Sequence, residues 1–237
     1  KGHGSFVDPH TIDINGEIHT AERILIATGG TPSVPDIPGK EHVITSNEAL
    51  DLPELPKSIT INGGGYIAVE FAGIFNALGV AVNLVYRGPQ ILRGFDDEVA
   101  AFAQQSFTEA GIQVITDTEI QAVEKTSSGY VCHTNNQDIH SELVFFATGR
   151  QANTATLNLA AVGIETQDNG QVQVDRDQRT TAAHVFAVGD VCNQDNLTPI
   201  AIREGHYLVQ RLFNQADQYP DYDFIPTTVF SQPEIGT

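Results

Sequence analysis

The sequence predicts an α/β fold of two three-layer domains, one of them carrying an antiparallel β-meander. Three observations predict it. First, three short apolar runs end in glycine turns: Ala27-Thr28-Gly29-Gly30, Ala147-Thr148-Gly149-Arg150 and Ala187-Val188-Gly189-Asp190. In open α/β sheets ligands bind beyond the carboxyl ends of strands, so three such ends suggest two nucleotide sites on one architectural plan. Second, apolar runs alternate with helical periodicities, the order expected of parallel strands joined by crossover helices. Third, Pro32, Pro35 and Pro38-Gly39 are too many prolines for a helix or a central strand, and read as a crossing between domains. Both domains are therefore expected to be Rossmann-like and nucleotide-binding.

The elements follow in order. Ile12 to Ile18 alternates and turns at Asn15-Gly16, a short hairpin. Arg23 to Ala27 reads as a buried strand. Ser58 to Asn62 is the next strand. Over Tyr66 to Leu78, Ile67, Phe71, Ile74, Phe75 and Leu78 recur at helical spacing, predicting a helix buried on that face and stopped by Gly79. Val80 to Tyr86 is a strand. Asp96 to Ala110 is a helix with Asp96 as N-cap and Gly111 as its stop. Ile112 to Ile115 is a third strand. Glu119 to Lys125, Tyr130 to Thr134 and Asp138 to His140 form the antiparallel excursion, and Leu143 to Ala147 is a buried strand. Gln171 to Asp175 is predicted as a short strand and Val185 to Val188 as a buried one. Pro199, suited to a first helical turn, opens a helix to about Asn214. Thr227 to Thr237 begins a further element.

Bulk properties exclude several functions. No apolar run approaches the ~18 residues of a membrane span, and no signal-peptide layout opens the chain. The formal net charge of -18 repels nucleic acid and anionic membranes, so neither is expected as a partner. The two cysteines, Cys132 and Cys192, have no Cys-x-x-Cys or metal-ligand spacing. No metal is expected, both thiols are expected to be inert, and the setting is expected to be cytoplasmic or organellar (stroma or matrix). The chain has no methionine and begins at Lys1, so its N-terminus is expected to arise by excision or truncation.

The chemistry concentrates after the Ser58 strand. Gly63, Gly65 and Ala68 fill a G-x-G-x-x-A pattern that follows a strand and opens an amphipathic helix. The first glycine allows the tight turn, the second lets backbone approach a pyrophosphate, and Ala68 allows close helix–strand packing. The helix N-terminus supplies N–H groups and positive partial charge. The end of the second strand selects the cofactor. An NAD site carries Asp or Glu there, about 20 residues on, to hold the ribose 2′-hydroxyl. This chain carries Arg87, then Arg93, which suit a 2′-phosphate through charge-assisted hydrogen bonds. NADPH is therefore expected rather than NADH.

Gly63 to Phe71 and Leu84 to Asp96 (Leu-Val-Tyr-Arg-Gly-Pro-Gln-Ile-Leu-Arg-Gly-Phe-Asp), with Ala27 to Gly30, Ala147 to Arg150 and Thr181 to Asp190, resemble the flavoprotein disulfide reductases, the class I pyridine nucleotide-disulfide oxidoreductases. The resemblance runs the length of the chain. It is strongest to the glutathione reductase branch, with trypanothione reductase close behind. It implies an NADPH-binding domain over residues 32–150, inserted in an incomplete FAD-binding domain of residues 1–31 and 151–224. Residues 225–237 would begin a truncated dimerisation domain.

The resemblance also implies site roles. Gly64, Ile67, Glu70, Arg87, Arg93 and Gly149 match NADPH-contacting positions, beside Gly63 and Gly65. Tyr66 matches a tyrosine that covers the flavin and swings aside for nicotinamide. Glu70 matches a carboxylate paired with a lysine beside the flavin. Asp190 would accept hydrogen bonds from the ribityl chain of FAD, and Thr198 would face the flavin from a helix N-terminus. Gly4 would contact the adenine part, with Thr28 and Gly29 in the same FAD site. His206 falls where some relatives carry a substrate-contacting arginine, and is expected to be a surface or core histidine instead.

The activity so implied is reduction of glutathione disulfide by NADPH, through FAD and a Cys-x4-Cys disulfide, in a homodimer whose partner subunit lends a histidine as acid/base. The chain has no Cys-x4-Cys, no first FAD glycine motif and no His-Pro. No catalytic residue is expected in it beyond the supporting Tyr66 and Glu70, and alone it is expected to be inactive. Two alternatives stand beside this: another reductase of the family, for trypanothione or mercuric ion, or a non-catalytic nucleotide-binding module. Lipoamide dehydrogenase would need an acid where Arg87 stands.

Overall fold

The computed structural model describes residues 2–193 and 195–237. The chain divides into two units: residues 1–31 with 150–225, and residues 32–149 with 226–237. It is an α/β fold of parallel sheets with an antiparallel meander.

The first unit opens with β1 (Gly4–Asp8), β2 (Thr11–Ile14) and β3 (Glu17–Thr20), an antiparallel sheet turning at Asn15-Gly16. β4 (Ile24–Ile26) and β5 (Gly30–Pro32) follow. The chain then enters the second unit through α1 (Ser46–Ala49), whose start is fixed by reciprocal bonds between Thr45 and Glu48.

The second unit is built on β6 (Ser58–Asn62), α2 (Tyr66–Ala77), β7 (Ala81–Val85), α3 (Asp97–Glu109) and β8 (Gln113–Ile115). Then come β9 (Ile120–Thr126), β10 (Gly129–Thr134), β11 (Ile139–Ser141) and β12 (Leu143–Phe146). The strands β12, β6, β7 and β8 lie side by side in that order, all parallel. Central β6 is buried on both faces, which is why Ile59, Thr60 and Ile61 form an unbroken run with 0% exposure. The polar member, Thr60, donates to Ser141 Oγ at 2.8 Å.

Strand alternation sorts the core into layers. Ile59, Ile61, Leu84 and Phe145 pack with Ala68, Phe71 and Phe75 of α2 and Phe107 of α3. Their neighbours Val85, Val144 and Phe146 point the other way, onto Ile120, Val123, Cys132 and Ile139 of the β9–β10–β11 meander. The unit is thus helices, parallel sheet and meander.

The chain re-enters the first unit at β13 (Arg150–Ala152), which pairs with β5. β14 (Val185–Ala187) pairs in parallel with β4, and α4 (Thr198–Asn214) follows. Phe6, Ile26, Leu159, Val172, Val185 and Ala187 share one core; Phe186, Val188 and Leu208 of α4 form another. Finally β15 (Thr228–Val229) and β16 (Ile235–Gly236) pair antiparallel and bring Val229 and Ile235 into the helix-side core of the second unit.

Three expectations are corrected. The buried face of α2 is Ala68, Val69, Phe71, Ala72 and Phe75, while Ile74 and Leu78 are 45% and 57% exposed. Short side chains at Ala68 and Ala72 let the helix press on the sheet, and this close approach sets the rotation. Gln171 to Asp175 is not a strand: Val172 makes a single bridge to Thr166, and its N–H goes to Val191. Asp175 instead accepts from the N–H groups of Asp177 and Arg179, a local turn that outcompetes extension. In β4, Leu25 is 50% exposed. Ile26 beside it is 4% exposed, so the run is covered on one face and open on the other. No helix among the described residues is long and apolar enough to cross a membrane.

Candidate nucleotide sites

In the second unit, Gly63 N–H donates to Val85 O at 2.9 Å, which draws the turn in against the neighbouring strand. Gly63 has φ +151°, and any Cβ there would collide with the Ala147 carbonyl and come 3.1 Å from Ala68 Cβ. Only glycine meets both conditions. Gly64 is also buried, but by a side chain: a Cβ on it would lie 2.5–2.7 Å from the Tyr86 ring. Gly65 differs. It is exposed, begins α2, and a Cβ on it would meet nothing within 4 Å. Two glycines are packed and the third opens the positive end of the helix to solvent, a cradle that fits a pyrophosphate.

The arginines follow β7. Between them, Ile91 and Leu92 are buried at 0% and 1%, and Leu92 adopts φ +58°, rare for a bulky residue. Leu92 N–H donates to Gly64 O at 2.6 Å, so the arginine loop is bonded directly to the glycine turn. This tie, which no local sequence signal announces, holds Arg87 and Arg93 on the rim of a cavity of about 460 Å³ lined by Tyr86, Ile91, Asp97 and Ala100. Both arginines are exposed, and among the described residues neither guanidinium has a carboxylate partner or hydrogen bond. Asp96, the N-cap of α3, accepts from Glu98 and Val99 N–H and ends the loop. The donor set fits a phosphate monoester.

The other expected residues of this unit are distributed around the turn. Tyr66 and Ile67 are half-buried and pack on the helix-side core. Glu70 Oε1 accepts from Phe230 N–H at 2.8 Å, a backbone partner that sequence reasoning did not foresee. Gly149 closes the segment after β12, and its carbonyl accepts from Ser33 N–H at 2.8 Å.

In the first unit, Thr28, Gly29 and Asp190 follow the paired strands β4 and β14. Thr28 Oγ1 donates to Asn153 O at 2.8 Å, while Asn153 donates back to Gly29 O and Thr28 O. Asp190 lies beside Gly30 and 3.7 Å from the Arg150 guanidinium, which donates to Gly30 O at 2.6 Å. Sequence reasoning missed Arg150 as a neighbour of Asp190. It also missed Glu204, a buried carboxylate that accepts from Gly189 N–H. Thr198 is the first residue of α4, with Pro199 behind it. Gly4 lies apart, in β1 opposite Ile14. His206 is exposed on α4, edge-on to Tyr207. The two strand ends and a helix start with an acceptor carboxylate fit a polyhydroxyl chain next to an anionic ring.

Both thiols are free and pushed up to about 12 by burial, Cys192 also by Glu204 and Asp190. They are neutral at physiological pH and poor nucleophiles.

Comparison with known proteins points one way. The family model described as pyridine nucleotide-disulphide oxidoreductase matches residues 1–205. The chain is 43% identical over its whole length to the chloroplastic/mitochondrial glutathione reductase of Pisum sativum, covering 43% of that protein. It is 40% identical over its whole length to the glutathione reductase of Burkholderia cepacia, covering 53%. Among solved structures, the HOCl-induced flavoprotein disulfide reductase RclA from Escherichia coli superposes with a TM-score of 0.94 at 28% identity, over 99% of this chain and 55% of that one. The chain thus spans about half the length of the relatives it matches.

Proposed function

From the premise that this chain belongs to the pyridine nucleotide-disulphide oxidoreductase family, we propose that it serves an NADPH-dependent flavoprotein glutathione-disulfide reductase, with glutathione disulfide as substrate and a homodimer as the working form. The chemistry supplied by the bound groups is hydride transfer from NADPH to FAD and onward reduction of a disulfide. This chain's residues bind, orient and tune. The α2 start at Gly65 takes the pyrophosphate, with Gly63, Gly64, Ile67 and Gly149 shaping the approach. Arg87 and Arg93 take the 2′-phosphate. Tyr66 would cover the flavin and swing aside for nicotinamide, and Glu70 would pair with a lysine beside the flavin. On the flavin side Asp190 would accept from ribityl hydroxyls, Thr28 and Gly29 would line the same cofactor, Gly4 would meet its adenine part, and the α4 start at Thr198 would favour negative charge on the ring.

The observation that carries this reading is a pair of guanidinium groups, unpartnered among the described residues, on the loop bonded to the glycine turn. Such groups discriminate for a phosphate and against a free hydroxyl. The test is direct binding. NADPH is expected to bind at least tenfold more tightly than NADH, and Arg87→Glu to cost roughly 10- to 100-fold in NADPH affinity while sparing NADH. Equal affinity for the two nucleotides, or an unchanged NADPH constant in the variant, overturns it.

A further inference from the structure

Glu204 is 2% exposed on α4 and has no cation within ion-pair distance among the described residues. Three donors hold its carboxylate instead. Gly189 N–H donates to Oε2 at 2.6 Å; Asn193 Nδ2–H and the Tyr222 hydroxyl each donate to Oε1 at 2.7 Å. A buried carboxylate is costly to desolvate, and an apolar residue would fill the same space without that cost. What the charge does here is geometric. Gly189 and Asn193 bracket Asp190, so one side chain grips the turn on both sides of it. The rest of that turn is also pinned: Val172 N–H donates to Val191 O at 2.9 Å, and Gln171 Nε2–H to Asn193 O at 2.7 Å. Val191 is fully buried, whereas the Asp190 side chain keeps 23% of its surface open.

We propose that Glu204 is a positioning residue for the flavin site: it ties the turn that carries Asp190 to the helix that begins at Thr198, and so fixes the ribityl acceptor against the helix start. This rests on the flavin reading of Asp190 and Thr198. Glu204 touches no reacting atom.

The test uses the protein expressed from its complete gene, stripped of flavin and titrated with FAD by fluorescence quenching. Four forms are compared: the parent, Glu204→Gln, Asp190→Ala and the double variant. Glu204→Gln keeps the shape but faces one donor with an amide N–H₂, and is expected to lower FAD affinity about tenfold. In the Asp190→Ala background the same change is expected to cost nothing further, because its effect runs through Asp190. NADPH affinity is expected to stay constant throughout. An unchanged FAD constant, an equal loss in both backgrounds, or a matching fall in NADPH affinity overturns the positioning role. If Asp190→Ala alone leaves FAD affinity intact, the flavin reading itself falls, and the inference with it. Should Glu204→Gln not fold, Tyr222→Phe, which removes one donor and keeps the carboxylate, enters the same cycle with a smaller expected loss.

Discussion

Gly64 and Tyr86 compete for one volume. The ring lies where a Cβ on Gly64 would be, and equally where a Cβ on Gly88 would be, at 2.6 Å from ring carbon Cε1. Gly64→Ala must displace the ring near its stiff Cγ end, and the ring adjoins Arg87. A loss of about 1–3 kcal/mol is expected from overpacking, read from urea unfolding. The loss is expected to shrink in a Tyr86→Ala background, since the two changes act on one contact; additive costs would show that the ring is not the obstacle. His133 makes a different residue-scale argument. Its Nδ1 is 2.9 Å from Asp138 and its Nε2 3.1 Å from Glu124, and these carboxylates, Asp138 foremost, raise its pKa above the ordinary 6.5. A raised folded pKa stabilises fully below the unfolded value and is lost as pH rises through the folded one. The ring is 39% exposed, so solvent screens the effect. His133→Gln is therefore expected to lower the melting temperature more at pH 6 than at pH 9. A gap independent of pH removes the ionic component.

At the scale of the element, α2 shows where periodicity misleads. Ile67, Phe71, Ile74, Phe75 and Leu78 share a helical spacing, yet Phe75 is 2% exposed and Leu78 57%. Phe75→Ala is expected to cost about 3–5 kcal/mol and Leu78→Ala under ~1 kcal/mol, both measured by chemical denaturation; comparable costs at the two positions would restore the face that periodicity predicts. The strands of the parallel sheet were legible because buried central strands read as apolar runs closed by glycine. The Asp96 cap and the Asn15-Gly16 turn were legible because their chemistry is local. The rotation of α2 was not, because it depends on how closely Gly63 and Ala68 let the helix approach β6. The Asp175 turn was misread because an alternating stretch carries the same pattern whether or not a partner strand exists. Among the candidate-site residues, Arg87, Arg93 and the glycine turn stood out in the sequence. The Leu92–Gly64 bond, the Glu70–Phe230 bond and the burial of Glu204 did not, since each joins residues distant along the chain or set by tertiary packing.

Across the whole molecule, two electrostatic ranges oppose each other. The net charge of -18 repels a polyanionic nucleotide at a distance. In the proposed site Arg87 and Arg93 would attract its 2′-phosphate on contact. The two ranges separate with salt, because the screening length falls from about 30 Å at 0.01 M to about 10 Å at 0.1 M ionic strength. Long-range repulsion fades first, so the association rate for NADPH is expected to rise over that interval, measured by stopped-flow fluorescence. The exposed arginines are screened as well, so the preference for NADPH over NADH is expected to narrow as salt rises. NADH feels the same long-range field without the 2′-phosphate, so its association rate should rise with salt too, and its affinity should change less than that of NADPH. An NADPH association rate that falls with salt would mean that the local arginine field already governs the approach, and that the acidic surface is electrostatically remote from the site. In that case Arg87→Glu should slow association as well as speed dissociation, whereas under the two-range account its effect falls mainly on dissociation.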